Sequence, residues 1–395
     1  MAIAASTAPP PAPTAPGLDF ALTEDQELLV EQVRRFAEER IRPGTAERDR
    51  EHRFPEELIA ELGELGLLGM LVEERWGGAG LDALTYVLAI EELARVCPAT
   101  AVTVSVTNSV CCWPIQQFGG DELRRRVLPE LAGGALGGFG LTEPSSGSDA
   151  GSLRTTAVRD GDAWVLDGEK AWITNAGYAR YYVVVARTDP AAGKRGLSAF
   201  VVPADAPGFA VGAPEEKLGL RASRTAPLVF TGCRVPAGNL LGTEGEGFKI
   251  ALATLDHSRL GIAAQAVGIH RRALELAVEY ARDRVQFGRP IAEHQAIQFK
   301  LAETATELAA ARALTHSAAA REHAREAGRL AAQAKLYASE AANRACAESL
   351  QIHGGNGFHA DYEISRLYRD VRVTTIYEGT SEMQRLVIAR QVLKG

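Results

Sequence analysis

The sequence lacks the features that mark several large classes of protein. Its 395 residues include 43 Lys and Arg against 50 Asp and Glu, so it has no excess of positive charge for nucleic-acid binding. No apolar run approaches the roughly 18 residues that cross a bilayer. The five cysteines form no Cys-x-x-Cys pair, and their odd number and irregular spacing argue against a disulfide framework or a zinc site. We therefore expect a cytoplasmic protein that binds no nucleic acid, membrane or metal.

The common motifs of nucleotide-binding proteins and hydrolases are missing too. The sequence has no Gly-x-Gly-x-x-Gly, Walker loop or Gly-x-Ser-x-Gly in a convincing context, and no His-Glu-x-x-His. These absences remove most of the support for a dinucleotide-binding fold, a P-loop enzyme, an α/β-hydrolase and a zinc protease.

The first 17 residues differ from the rest of the chain. They contain five prolines and no charged side chain, and proline-rich segments favour extended, unpaired backbone. A secretory signal needs a basic and then an apolar region, and a mitochondrial transit peptide needs arginines. The segment has neither, so we interpret it as a disordered extension, with a partner-binding arm as the alternative.

The N-terminal part after this tail has a helical pattern. Thr23 and Gln26 match a capping box, in which each side chain bonds the other residue's backbone N–H. Pro43 and Gly44 are expected to end the helix that begins there. Residues 99–118 carry no charge, which predicts a buried helix or helix pair.

Short apolar strands replace the helical pattern after residue 133. Val, Ile, Tyr and Phe are enriched there between Gly, Pro and Asp. The predicted strands are Ala163–Leu166, Tyr181–Ala186, Leu197–Val202 and Ala226–Phe230. They do not alternate with long helical patterns, so a compact antiparallel β domain fits better than a βαβ nucleotide fold.

Three long helices are predicted in the last third of the chain, which is rich in Ala, Leu, Glu and Arg. They cover about 247–283, 293–325 and 328–352, and such helices usually pack as a bundle. The predicted organisation is a tail (1–17), an N-terminal helical domain (18–132), a middle β domain (133–238) and a C-terminal helical bundle (239–395).

Four polar, glycine-rich segments lie at the boundaries of these elements. The first, Leu141–Asp149, could present backbone N–H groups and hydroxyls to a polar or anionic cofactor, or could be a multiple turn. In the second, Lys170–Asn175, Trp172 and Thr174 are two apart on a strand and should point the same way. The tryptophan could cover a flat ring while the threonine donates to a heteroatom; a half-buried strand is the alternative.

The other two segments lie in the C-terminal part. In Arg282–Ile291, Arg284 at a helix end could bind phosphate or could cap the helix. The last segment pairs Gln351–Gly357 with Tyr377–Glu382. There Glu378 follows an apolar run, and a carboxylate in apolar surroundings has a raised pKa and can act as a base near neutrality. A solvated turn glutamate is the alternative.

In this order and spacing, the segments together resemble the acyl-CoA dehydrogenase family. The motifs that carry the resemblance are LTEPSSGSD, WITN, RVQFGRPI, QIHGGNGF and IYEGTSEMQR. Each is weak alone, but five in this order are not a chance match, and the resemblance extends from about Phe20 to Leu393. The short-chain, butyryl-CoA-type branch is the most similar, through SVTNS, KLGLRASRTA, GFKIALATLD and RLGIAAQAVG.

The resemblance implies a mainly α protein with a central β domain: an N-terminal helical domain, a middle β-barrel-like domain and a C-terminal four-helix bundle. It implies a homotetramer, a dimer of dimers, with non-covalently bound FAD. The implied reaction is α,β-dehydrogenation of a short-chain acyl-CoA, straight or branched, to the trans-2-enoyl-CoA. Electrons would then pass to an electron-transfer flavoprotein.

Glu378 matches the catalytic glutamate of the family, the base that takes the α-proton while the β-hydrogen leaves as hydride to flavin N5. The resemblance also implies that the thioester oxygen bonds the Glu378 backbone N–H and a flavin ribityl hydroxyl. One such donor is typically worth about 3–4 kcal/mol, because it stabilises charge that develops in the transition state.

The resemblance also assigns the binding residues. Those expected at FAD are Phe139, Leu141, Thr142, Gly147, Ser148, Trp172, Ile173, Thr174, Arg284, Phe287, Gln295, Gln351, Gly354, Gly355, Thr380 and Glu382. Those expected at the acyl-CoA are Val102, Val106, Val110, Ser148, Asp256, Arg259, Tyr377 and Gly379. The six from Arg284 to Gly355 match positions that reach a neighbouring subunit's cofactor, which would couple FAD binding to assembly.

Two departures narrow the expected substrate. Some family members place the base on the bundle helix, but Ser258 stands at that position and cannot act as a carboxylate base. A glutaryl-CoA enzyme would need an arginine in the pocket floor, and none lies between Ala99 and Leu123. The alternatives to a dehydrogenase are an oxidase that uses O₂, a catalytically silent scaffold, and an enzyme for carrier-protein thioesters.

Overall fold

The structure is a computed structural model that describes residues 21–394. The predicted disordered tail lies outside the described residues. The chain first forms seven α-helices with two π-helical turns between them. These are α1 (Glu24–Phe36), a π turn (Ala37–Ile41), α2 (Arg42–Glu51), α3 (Glu56–Glu64), α4 (Ala83–Val96), α5 (Pro98–Val106), a π turn (Thr107–Cys112), α6 (Trp113–Phe118) and α7 (Asp121–Ala132).

Sequence features explain how several of these helices begin. The capping box at α1 is confirmed, with the Thr23 hydroxyl and the Gln26 side chain each bonded to the other residue's N–H. The uncharged stretch is confirmed as buried over most of its length, since every residue from 98 to 112 is buried, whereas Gln117 is exposed. It forms one continuous helical run in which a π turn joins α5 to α6.

The expectation that Pro43 and Gly44 end the first helix is wrong. Helical backbone continues to Glu51, because a π turn precedes α2 and Pro43 lies in the first turn of α2. A missing N–H breaks no helical bond at that position. The helical run ends instead at His52, whose φ of 54° is left-handed.

An eight-stranded sheet forms the middle of the chain. Its strands are β1 (Leu136–Gly140), β2 (Thr156–Asp160), β3 (Ala163–Thr174), β4 (Ala179–Arg187), β5 (Leu197–Pro203), β6 (Phe209–Val211), β7 (Thr225–Pro236) and β8 (Leu240–Leu241). The order is β6-β7-β3-β2-β4-β5-β8, with β1 paired to β4. All four predicted strands lie within it.

The sheet is mixed, so the expectation of a purely antiparallel domain is wrong. Strand β1 runs parallel to β4, and β2 pairs with β4 in parallel at one position. The β2–β3 hairpin separates β1 from β4 in the chain, so no tight turn forces these two strands to be antiparallel.

Five helices and a small hairpin complete the chain. They are α8 (Gly247–Asp283), β9 (Val285–Gln286), β10 (Arg289–Pro290), α9 (Gln295–Ala319), α10 (Ala327–His353), α11 (Glu363–Val371) and α12 (Ser381–Val392). The three predicted long helices correspond to α8, α9 and α10. None of the helices within residues 21–394 is long and apolar enough to cross a bilayer. The three boundaries between the four predicted segments stay predictions.

Helix α8 is central, since it packs against α4 and α5 from the N-terminal part and against α9, α10 and α11. Ion pairs also join α2 and α4 to α8, α9 and α11. They join Arg271 to Glu92 at 2.7 Å, Arg95 to Glu275 at 2.9 Å, Arg369 to Asp49 at 2.6 Å and Arg312 to the buried Glu91. The N-terminal helices and the bundle therefore share one interface around α8.

Candidate active site

The loop before α12 carries the predicted base. It follows the short helical turn Arg372–Thr375 and ends at Thr380, whose hydroxyl caps α12 by accepting from the backbone N–H of Met383. Glu378 and Gly379 have φ values of 51° and 93°. A left-handed residue other than glycine is strained, and such strain persists where the surroundings hold it, often at functional sites. The local backbone at Glu378 is thus held by its neighbours.

Glu378 is half-buried, and one of its two carboxylate oxygens is enclosed by protein. Its Oε2 atom is inaccessible to solvent and has no hydrogen-bond partner among residues 21–394. Burial raises the pKa of this carboxyl to about 7, and the Ser258 hydroxyl is the largest influence that lowers it. A base with a pKa near neutrality is poised for proton abstraction. The expectation of a raised pKa agrees with this environment.

Three side chains hold the loop in place. The Gln384 amide nitrogen lies 3.3 Å from the Glu378 carbonyl oxygen and 2.9 Å from that of Gly379. Lys335 Nζ also donates to the Gly379 carbonyl, at 2.6 Å. The Tyr377 hydroxyl donates to the side-chain oxygen of Gln265. The loop is therefore fixed on both sides of the base, by Gln265, Lys335 and Gln384, which the sequence analysis missed.

Helix α8 contributes the expected substrate residues Asp256 and Arg259, which form an ion pair with each other. Arg259 is buried, and burial lowers its pKa, although its charge still acts on Glu378. Ser258, between them, is also buried, and its hydroxyl donates to the Leu255 carbonyl at 3.2 Å. The structure thus brings Arg259 and Glu378 together.

The uncharged α5 run supplies one wall near the base. Val102, Val106 and Val110 are all buried there, in the core cluster to which Leu260 of α8 belongs. Their contact with an acyl chain stays a prediction. A polar pair lies in the same region: Tyr86 OH of α4 is 2.8 Å from Ser105 Oγ of α5. Burial raises the pKa of Tyr86, and the charge of Glu378 raises it further, so the Tyr86 hydroxyl lies within electrostatic range of the base.

The predicted cofactor loop after β1 is held by a buried ion pair. Lys170 Nζ of β3 lies 2.6 Å from Glu143 Oε1 and 3.3 Å from the Leu141 carbonyl oxygen. Both side chains are buried; burial lowers the pKa of Lys170 to about 8. Of the residues expected at FAD in this region, Leu141 is buried, Phe139 and Thr142 are half-buried, and Gly147 and Ser148 are exposed. The loop therefore presents its tip to solvent.

The second predicted segment is not a regular strand. A bulge interrupts the pairing of β3 with β7 between Lys170 and Ile173, and Trp172 has a left-handed φ of 64°. The alternation from which we expected Trp172 and Thr174 to point the same way is therefore broken. Trp172 is 60% exposed, whereas the Ile173 side chain is buried in the core, so only its backbone could meet a cofactor.

The residues expected to reach a neighbouring subunit lie at one end of the bundle. Tyr280 near the end of α8 stacks on His353 at the end of α10, with ring centroids 4.3 Å apart, which brings these helix ends together. Arg284, Phe287, Gln295, Gln351, Gly354 and Gly355 are exposed. Phe287 is 94% exposed with a φ of 53°. Thr380 and Glu382 lie apart from them, at the start of α12. Which subunit these residues serve stays a prediction.

The exposed groups around β3 fit a flavin. A large flat side chain, Trp172, is open to solvent where the cofactor loop presents hydroxyls and backbone N–H groups. The expected glycines leave room, since a Cβ added at Gly147, Gly354 or Gly355 would meet no atom within 4 Å. The exposed guanidinium of Arg284 suits a phosphate group. The residues therefore match the aromatic, polar and anionic parts of FAD.

Three family models match successive parts of the chain. They describe the N-terminal domain of acyl-CoA dehydrogenase (residues 23–135), the middle domain (138–233) and the C-terminal domain (245–393). The chain belongs to the acyl-CoA dehydrogenase family. The chain is therefore an oxidoreductase of a flavoprotein family. The three matches also confirm the predicted arrangement of an N-terminal helical, a middle β and a C-terminal helical domain.

Similar proteins point to the short-chain branch of the family. The chain is 49% identical to the mitochondrial short-chain specific acyl-CoA dehydrogenase of Homo sapiens, over 94% of this chain and 91% of that protein. The solved structure of butyryl-CoA dehydrogenase from Megasphaera elsdenii is 43% identical, with a TM-score of 0.93 over 95% of this chain and 100% of that one. The predicted similarity to short-chain enzymes is confirmed.

Two further structures bear on cofactor and partner. A glutaryl-CoA dehydrogenase of Mycobacterium smegmatis, solved in complex with FADH2, is 35% identical with a TM-score of 0.89, over 95% of this chain and 96% of that one. A chain from work on the electron transferring flavoprotein of Acidaminococcus fermentans and flavin-based electron bifurcation is 45% identical. Its TM-score is 0.94, over 96% of this chain and 100% of that one.

Proposed function

We propose that the protein dehydrogenates a short-chain acyl-CoA thioester between its α and β carbons, with FAD as the hydride acceptor and an electron-transfer flavoprotein as the next electron carrier. The observation that carries this proposal is the half-buried Glu378, whose Oε2 is enclosed and unpaired among residues 21–394 and whose pKa is raised to about 7. The substrate class is supported by the similarity to short-chain and butyryl-CoA enzymes.

In this mechanism, the chain supplies the base and the geometry. Glu378 Oε2 takes the α-proton of the thioester, and the fixed loop offers the Glu378 backbone N–H to the thioester oxygen. Bound FAD would supply the acceptor for the β-hydrogen and its electron pair. The substrate thus loses one proton and one hydride, and the α and β carbons become doubly bonded. Glu378 Oε2 is inaccessible to solvent, and the exclusion of water from that atom strengthens its interaction with the substrate.

FAD would be held by the cofactor loop and by the exposed residues near Trp172. Thr142, Ser148 and Thr174 would supply hydroxyls, and Trp172 would cover the ring. Arg284 and the exposed residues of the bundle end would meet the cofactor of another subunit, which makes a homotetramer part of this proposal. A binding site made by two subunits would couple cofactor affinity to assembly.

The experiment is anaerobic mixing of the purified yellow protein with butyryl-CoA, isobutyryl-CoA and octanoyl-CoA, followed by the visible absorption of the flavin. We expect bleaching by butyryl-CoA, and none in the Glu378→Gln variant even though it stays yellow. Bleaching by isobutyryl-CoA instead would assign a branched substrate. Full reduction of the Glu378→Gln variant would refute the base assignment.

The same preparation tests the alternatives. Peroxide that matches substrate turnover in air would indicate an oxidase instead of electron transfer to a flavoprotein. A colourless protein that cannot be reconstituted with FAD would indicate a scaffold. A yellow protein that no acyl-CoA bleaches would be tested next with acyl carrier-protein thioesters.

A further inference from the structure

Lys335 is a buried cation that the proposed reaction does not use. Its side chain is 0% exposed on α10, and its Nζ atom donates to the Gly379 carbonyl at 2.6 Å. No carboxylate within residues 21–394 lies at ion-pair distance from it. A buried ammonium without an ion-pair partner is costly, so its neighbours must offset that cost.

The residue that precedes Gly379 carries a carboxylate with one enclosed oxygen. Glu378 immediately precedes the glycine whose carbonyl Lys335 bonds, and Glu378 Oε2 has no hydrogen-bond partner among the described residues. Burial lowers the pKa of Lys335 to about 8, and the charge of Glu378 is the largest influence against that fall. In turn, the charge of Lys335 acts to lower the pKa of Glu378.

Other groups face this pair from three further elements. Arg259 and Ser258 face Glu378 from α8, and Tyr86 faces it from α4. Glu340 of α10 and Glu382 of α12 act on Lys335. The charge of Arg259 is balanced by its ion pair with Asp256. Lys335 is therefore the cation near Glu378 that no ion pair in the described chain neutralises.

We infer that Lys335 is a positioning residue for the base: it anchors the Gly379 carbonyl beneath the loop and supplies the positive charge that faces the Glu378 carboxylate. This inference rests on the proposed role of Glu378 as the base. It assigns two separate effects to one side chain, loop geometry and charge, and Gln384 shares only the first. Gln384 donates to the same carbonyl at 2.9 Å without carrying a charge.

The test uses four variants of the full-length FAD-loaded protein. Lys335→Met removes both anchor and charge, and Lys335→Gln removes the charge while keeping an amide donor in case the first variant fails to fold. Gln384→Leu removes an anchor only. Arg344→Met is the matched control, since it removes an exposed cation of α10 that pairs with Glu307 of α9, and neither residue is among the groups that act on Lys335 or Glu378.

The first readout is an infrared titration of the Glu378 carboxyl without substrate, with each protein subtracted from its own Glu378→Gln counterpart. The second is the rate of anaerobic flavin reduction by butyryl-CoA against pH. In the Lys335 variants, we expect the titration midpoint to rise by about one pH unit. The reduction rate at pH 7 should then fall about fivefold, because the ionised fraction of the base drops from about one half to about one tenth.

The controls decide between charge and structure. We expect Gln384→Leu to leave the infrared midpoint in place, and Arg344→Met to leave both readouts in place. An unmoved midpoint in whichever Lys335 variants fold overturns the inference, as does an equal shift in either control. If butyryl-CoA and the other thioesters fail to reduce the native protein, the proposed function fails, while the infrared midpoint still decides the role of Lys335.

Discussion

Glu143 and Lys170 form a salt bridge, 2.6 Å long, that joins the cofactor loop to strand β3 with both side chains buried. Glu143 also accepts from the backbone N–H groups of Arg154 and Thr155, at 2.6 and 2.9 Å. The carboxylate thus organises three segments around one buried cation. Removing either partner leaves the other charged, buried and uncompensated.

We predict that Lys170→Met lowers the free energy of unfolding by about 3–5 kcal/mol, the range found when one partner of a buried pair is lost. The double variant Glu143→Gln/Lys170→Met should recover part of this loss, since no unpaired charge remains. Urea denaturation at fixed protein and FAD concentration measures both. A double variant no more stable than Lys170→Met would contradict the explanation. The exposed pair of Arg40 and Glu61 supplies the control, expected to contribute at most about 1 kcal/mol.

The raised pKa of Glu378 should lower the free energy of unfolding at neutral pH. The pKa of Glu378 is raised from 4.5 to about 7, so the folded state holds its proton more tightly than the unfolded state. Stability from this group is therefore full below pH 4.5 and is lost as pH rises toward 7, by on the order of 3 kcal/mol. Glu378→Gln lacks this loss, so its melting temperature should exceed that of the native protein at pH 8 and match it more closely at pH 4.5. Calorimetry at pH 8 and pH 4.5 checks this prediction. A melting-temperature difference between the two proteins that does not change with pH would contradict it.

Gly261 should not tolerate a side chain. A Cβ there would lie 2.3 Å from the Tyr86 hydroxyl oxygen and 2.4 Å from Ser105 Oγ. Gly261→Ala must displace this hydroxyl pair, so we expect a loss of about 1–3 kcal/mol. Adding Tyr86→Phe removes one of the clashing atoms and should restore part of the stability. Gly238→Ala is the control, because an added Cβ there meets no atom within 4 Å. Equal losses in the Gly261 and Gly238 variants would refute the steric explanation.

Glu91 should stabilise the fold at neutral pH and lose that effect in acid. Burial acts to raise its pKa, but the hydrogen bond from His316 and the charge of Arg312 outweigh it and hold the pKa at about 2. A carboxyl with a lowered pKa contributes fully above its ordinary value of 4.5, and the contribution disappears as pH falls through 2. Glu91→Gln should therefore be about 3 kcal/mol less stable at pH 7. Denaturation at pH 7, 4 and 3 should show the gap to the native protein narrowing; a constant gap would contradict it.

The elements set by local pattern were the ones that the sequence predicted. The capping box of Thr23 and Gln26 predicted the start of α1, and the Ala-rich composition predicted α8, α9 and α10. Both signals act within a few residues. Glu378 was predicted through its motif and its apolar approach. The prediction that Pro43 ends the first helix was wrong, because a π turn before it places Pro43 in the first turn of α2, where a proline breaks no hydrogen bond.

The contacts that hold the site in place could not be predicted from local sequence patterns. Lys335 lies among Ala331, Ala334 and Ala338, which are spaced as the buried face of a helix, and that spacing was the available signal. Its partner, the Gly379 carbonyl, is 44 residues away. The left-handed backbone of Trp172 likewise depends on a bulge against β7, so strand alternation could not reveal it.

The ion pairs around α8 change how the chain should be divided. Arg369 and Asp49 are 320 residues apart in sequence and bonded at 2.6 Å, and the pairs from α4 to α8 span nearly 180 residues. The first and last thirds of the polypeptide thus form one cooperative folding unit, and the chain between them forms the sheet. A protease that nicks the chain within the sheet should leave the two helical fragments associated, whereas neither fragment made alone should fold.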